Sequence, residues 1–150
     1  FSSKAPELLQ EIFVGGFPYG SNINTGIKVS KGSVSSLSGQ SNNYSMFLVD
    51  ATVQLGSSGG PILDKEGGLL GIIAGIFDGD SFQPAGIAIR GRQEQKRNSS
   101  GLNFGIKSSV IKEIMRAEGF SLHQTDEALD LSQKVLGQIL QNTTYMVGCN

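Results

Sequence analysis

Gly56-Ser57-Ser58-Gly59-Gly60-Pro61 is the stretch from which the rest of this chain is read. A serine set among glycines, between the apolar run 46–55 and a proline, is a hydroxyl presented on a tight loop. Glycine has no Cβ, so it permits positive φ and close backbone approach. Successive backbone N–H groups can then point into one concavity and hold an oxyanion. Ser58 is therefore the candidate nucleophile, and the bland alternative is a structural Gly/Ser turn in a sheet. A serine hydroxyl attacks well only when a neighbouring base takes its proton. Such a base is hard to find: the single histidine, His123, lies 65 residues further on.

Outward from that loop the chain reads as short strands punctuated by glycine. Strands are expected over 11–14, over 25–37 as a pair broken at Gly32, and over 46–55, 61–63, 69–77, 85–89 and 102–106. The turn Asp64-Lys65-Glu66-Gly67-Gly68 joins two of them as a hairpin. The polar stretch 90–101 reads as a loop. The period then changes: Val110, Ile111, Ile114 and Met115 fall on one face of a helix capped by Ser108 or Ser109 and ended by Gly119. A second helix is expected over 125–141, with Asp126 and Glu127 suited to its N-terminus. Short antiparallel strands followed by a helix suit a small barrel closed at one end. The expected division is a barrel with its closing helix over 1–120 and a helical extension over 121–150.

Composition bounds the function classes. Hydrophobic residues make up 38% and charged residues 17%, enough for a packed core. A net charge of −1 gives no electrostatic case for nucleic acid. Arg90, Arg92, Lys96 and Arg97 are interrupted by Glu94 and lack aromatic residues for stacking, so they read as a solvated loop. The single cysteine, Cys149, excludes an intrachain disulfide. No apolar run reaches the ~18 residues of a membrane span, and no signal fixes the compartment. Phe1 is not expected to be a natural start. Asn43-Tyr44-Ser45, Asn98-Ser99-Ser100 and Asn142-Thr143-Thr144 are glycosylation sequons, which matter only in a secretory compartment. No metal or cofactor motif is present.

Three blocks together resemble the trypsin-like serine proteases, in particular the HtrA/Deg branch. Val14-Gly15-Gly16-Phe17-Pro18-Tyr19-Gly20 followed by Gly32-Ser33-Val34-Ser35 looks like that branch's glycine-proline turn and its next strand. The segment from Asp50 through Gly56-Ser57-Ser58-Gly59-Gly60-Pro61 looks like its active-serine block, and Leu102-Asn103-Phe104-Gly105-Ile106 like a strand lining its primary specificity pocket. The resemblance covers residues 11–118. It implies an all-β fold: the second, serine-bearing six-stranded antiparallel barrel of a chymotrypsin-like pair, here with a C-terminal helical extension. In that family the His and Asp of the triad sit on the first barrel, and the chain starts where the second begins. A helical extension is expected here where a PDZ module often follows in that branch, and Lys107 stands where the family commonly has proline.

Carried over residue by residue, the resemblance implies Ser58 as nucleophile and the Gly56 and Ser58 N–H groups as oxyanion hole. Thr52, six residues before Ser58, falls near the floor of the primary pocket, with Phe104, Gly105 and Ile106 along its wall. A small uncharged floor favours an apolar residue before the cleaved bond. Against this stands the simpler reading that Phe104 or Ile106 alternates into the core. His123 comes after the serine, whereas the family's base comes before it, so it reads as a surface residue. Asp50 reads as structural. The expected partners are a polypeptide substrate and an upstream half carrying His and Asp, with a homo-oligomer left open. Two functions follow: a serine endopeptidase whose 150 residues alone are inactive, or a non-catalytic binding module whose second helix docks a partner.

Overall fold

The computed structural model describes residues 1–18, 26–54, 56–77, 82–84, 103–122 and 131–147, with backbone alone at 76, 77 and 82–84. Seven strands are described: β1 (Glu11–Gly16), β2 (Lys28–Ser36), β3 (Met46–Val49), β4 (Pro61–Leu63), β5 (Leu69–Phe77), β6 (Phe82–Pro84) and β7 (Asn103–Lys107). Every pairing is antiparallel. The order β4-β1-β2-β3-β7-β5 closes on itself through β4–β5, which makes a six-stranded barrel, and β6 extends β5 as a hairpin. Closure removes the free edges that would otherwise invite aggregation.

Alternation explains how the barrel fills. Ile12 and Val14 of β1, Val34 of β2, Phe47 and Val49 of β3, and Ile62, Leu70 and Ile73 meet in one core with Ala51 and Val53. In β1 and β3 residues of one parity point inward. By contrast, β5 shifts register opposite Ile62 and Leu63, and its Leu70 and Ile73 both enter the core despite opposite parity. Phe13 of β1 and Leu63 of β4 point out, yet are buried, because a helix covers them. That helix is α2 (Gln133–Thr143), which brings Leu136 and Leu140 onto this patch with Leu131 and Ile139 at its margin. Burying one leucine fully stabilises by about 1.5–3 kcal/mol. The other helix, α1 (Ser108–Ala117), follows β7 without a loop. Its Lys112 Nζ donates to the Ser2 carbonyl at 2.9 Å and stands over the Phe1 ring, tying the first residues to the helix.

Several boundaries differ from the sequence reading. Gly32 does not break β2: it pairs with Ile12 in an uninterrupted strand. A side chain there would sit 2.6 Å from the Ala51 Cα, so the glycine serves a close approach of two backbones. The run 46–55 is strand only to Val49. At Asp50 the chain turns away, its N–H donating to the Ser33 carbonyl while its carboxylate accepts from Ser33 N–H and Oγ, at 2.5 and 2.9 Å. That bonding agrees with a structural Asp50. Ser108 and Ser109 do not cap α1. Lys107 is the N-cap, without a side-chain bond, because the strand runs straight into the helix. The Lys107 N–H donates to the Ser45 carbonyl, a bond that a proline at this position cannot make. The second helix starts at Gln133, where the Ser132 hydroxyl accepts the Val135 N–H, and Leu131 lies before it. The expected strand 85–89, the loop 90–101, His123 and the residues Thr125, Asp126 and Glu127 lie outside the described residues.

Candidate functional site

The serine loop spans the gap between the end of β3 and the start of β4. Ala51 and Val53 continue the inward alternation and are buried, which anchors the approach to the loop. Asn103, 2% exposed at the end of β7, donates from Nδ2 to the Ala51 carbonyl at 2.6 Å, just beyond the last β3–β7 pair, Val49 with Asn103. Its Oδ1 is buried without a partner. The sequence alone assigns Asn103 no task. Polar and flanked by apolar residues in a strand, it was the available signal.

The loop turns on two left-handed glycines, Gly56 at φ 95° and Gly59 at φ 81°. Three of its N–H groups are committed internally. Ser57 donates to the Gln54 carbonyl, Gly59 to the Ile73 carbonyl and Gly60 to the Ser57 carbonyl. The last two tie the loop to itself and to β5, as does the Ile73 N–H donating to Gly60. Among the described residues, the N–H groups of Gly56 and Ser58 have no such acceptor. Ser57 is buried against Gly16, whereas Ser58 is exposed. The loop therefore presents one hydroxyl and two uncommitted backbone donors toward solvent.

Two cavities flank it. One, about 330 Å³, is lined by Thr52, Val53, Gln54 and Ser57 together with residues of β1 and β2 that include Lys28. The other, about 250 Å³, is lined by Ser58 and its glycine neighbours, by Gly16 and Phe17, and by residues 144–147. Gly16 and Ser57 line both. Thr52 is exposed in the first cavity. Phe104, Gly105 and Ile106 line neither.

Phe104 is buried, as the core reading of this strand expects for one of Phe104 and Ile106. Gly105 faces the barrel interior: a side chain there would meet Ile62 Cδ1 at 2.6 Å and Phe47 Cε1 at 2.8 Å. Phe104 and Ile106 share the opposite face, where Phe104 is 3% exposed. Among the described residues, no three His, Cys, Asp or Glu side chains gather as a metal site. No described helix is long and apolar enough to cross a membrane.

Residues 1–72 of this closed antiparallel barrel match the model of the trypsin-like peptidase domain. By fold it is the barrel found in HtrA-type proteases. The crystal structure of a serine endoprotease from Yersinia pestis matches at TM-score 0.53 and 23% identity, over 77% of this chain and 32% of that one. The HtrA-type protease AlgW bound to a tripeptide matches at TM-score 0.53 and 24% identity, over 75% of this chain and 32% of that one. A protein of Sinorhizobium fredii, the uncharacterized protein y4bJ, is 30% identical over 112 residues. That match takes in 75% of this chain and 16% of y4bJ. The chain thus spans about a third of the solved proteases and a sixth of its curated relative.

Proposed function

We propose that this chain is the serine-bearing half of a serine endopeptidase, with Ser58 as nucleophile. In this reading Ser58 Oγ attacks the peptide carbonyl carbon. A histidine from an upstream barrel takes the hydroxyl proton and passes it to the leaving amine, and an aspartate from the same barrel orients that histidine. Water then attacks the acyl-enzyme by the same route in reverse. The Gly56 and Ser58 N–H groups donate to the oxyanion that forms at each attack. One such donor is typically worth about 2.7–4 kcal/mol of transition-state stabilisation.

The observation that carries the reading is the hydrogen-bond pattern of the loop. Its N–H groups at 57, 59 and 60 are bonded internally, and those at 56 and 58 have no internal acceptor among the described residues. Both residues are exposed, so these two N–H groups are open to an incoming oxyanion in place of water. The alternative, a binding module, would offer a partner the apolar face of the second helix, Leu129, Val135, Leu136 and Leu140, of which Val135 is 37% exposed and Leu129 lies outside the described residues. Leu136 and Leu140 are covered by the barrel, against Phe13 and Leu63.

The test uses the complete protein. A fluorophosphonate should label Ser58, and Ser58→Ala should abolish both labelling and cleavage of an unfolded protein substrate. The 150 residues alone should be slower by about 10⁶-fold, the typical cost of losing the general base. Normal turnover by the Ser58→Ala protein removes the nucleophile assignment. Full activity of residues 1–150 alone removes the need for an upstream half.

A further inference from the structure

The polypeptide beyond α2 turns back to the serine loop. Thr144 leaves the helix in extended conformation, at φ −107° and ψ 124°, with its N–H held by the Leu140 carbonyl. Residues 144–147 then form one side of the 250 Å³ cavity that Ser58 opens into, with Phe17 also in its lining. We infer that the C-terminal extension supplies a wall of the substrate cleft, on which Tyr145 and Met146 contact a residue beside the scissile bond and select an apolar one. This inference rests on the peptidase reading of Ser58 and names a determinant of its specificity.

Exposure distinguishes a wall from a plug. A segment that blocks a site buries its own side chains there. Tyr145 is 77% exposed, Met146 53% and Val147 87%, so they border the cavity and leave it open. The segment is nevertheless held in place. Thr144 is buried beside Gly15, and the Tyr145 hydroxyl donates to the Asn142 carbonyl at 2.9 Å. Leu136 and Leu140 anchor the helix from which it emerges. A wall ordered before substrate arrives does not lose that entropy on binding.

The chemistry of the lining sets the ligand class. Phe17, Met146, Val147 and the ring of Tyr145 are apolar, and among the described residues no charged one lines the cavity. The volume lies below the ~300–1,000 Å³ usual for small-molecule sites. It suits a single large side chain, and that side chain belongs to the polypeptide whose carbonyl Ser58 would attack.

The experiment compares the complete protein with its Met146→Ala, Met146→Leu and Tyr145→Ala variants on a peptide library with one randomised position at a time. Met146→Ala should raise KM about tenfold for peptides with Leu or Phe at one position flanking the cut. The preference there should fade, and kcat should stay nearly constant because the contact is made equally in ground and transition states. Met146→Leu should restore the preference. Fluorophosphonate labelling of Ser58 should keep its rate in all variants, since a small probe does not reach the wall.

Faster cleavage by the variants would make the segment a plug and overturn the inference. An unchanged profile would overturn it as well. Slower labelling together with slower cleavage would assign the segment to support of the loop, again against a wall. A parent protein that is neither labelled nor cleaves would overturn the peptidase reading and this inference with it. A parent that cleaves normally while its variants behave identically overturns only the wall.

Discussion

Asn103 holds the start of the segment that carries Ser58. Its Nδ2 takes the place of the next ladder bond once β3 has ended, and it grips the Ala51 carbonyl from inside the fold. Removing the amide leaves that carbonyl buried without a donor, and a buried unsatisfied group costs about 1–3 kcal/mol. Asn103→Ala should lower stability by that amount in urea denaturation. It should also slow labelling of Ser58, because Thr52 to Gly56 lose their tether. Asn103→Leu should be no better, since it also strands the carbonyl. If either variant is as stable as the parent, the bond to Ala51 carries no weight. Among the described residues, the Asn103 Oδ1 has no hydrogen-bond partner.

Among the elements, α2 is the one whose loss should be felt at two places. Leu140 is fully buried against the outer face of β1 and β4, next to Gly15, and the residues that follow it reach the Ser58 cavity. Leu140→Ala should cost about 2–5 kcal/mol, and limited proteolysis should then cut the chain near residues 144–147. Parent-like resistance and stability would mean that α2 is seated by other contacts. The serine loop was legible in the sequence because its meaning is local: glycine, serine and proline in six consecutive residues. Strand identity was legible in short continuous apolar runs, as in Glu11–Gly16 and Leu69–Phe77. Gly32 was misread because the reason for a glycine there is Ala51, a partner distant in sequence. The cap of α1 was misread because two serines stood where a strand passes directly into a helix. Nothing local to Thr144 and Tyr145 signals a return to a loop more than eighty residues earlier. That is a property of how α2 lies on the barrel.

For the whole molecule, the proposed peptidase activity turns on which bond would be cut. Thr52 lines the larger of these two cavities beside the serine loop, and among the described residues no Asp or Glu lines it. The charged side chain at its edge is Lys28, of the wrong sign for a basic substrate residue. A lysine or arginine buried there would give up its hydration without an ion partner, a penalty of several kcal/mol. An apolar side chain gains about 0.8 kcal/mol for each CH₂ it buries. If this cavity takes the residue before the cut, cleavage by the complete protein should follow Val, Ile, Leu or Ala and not Lys or Arg. Mass-spectrometric mapping of cut sites in an unfolded protein measures this directly. Thr52→Asp should then shift the profile toward Lys and Arg, because it adds the missing countercharge where the floor is proposed to lie. Lys28→Ala should shift it less, since that change removes a repulsion and adds no attraction. A parent profile dominated by Lys or Arg would mean that a carboxylate from outside this cavity governs the choice. An apolar profile unmoved by Thr52→Asp would place the primary pocket elsewhere, on the outer face of β7 where Phe104 and Ile106 stand.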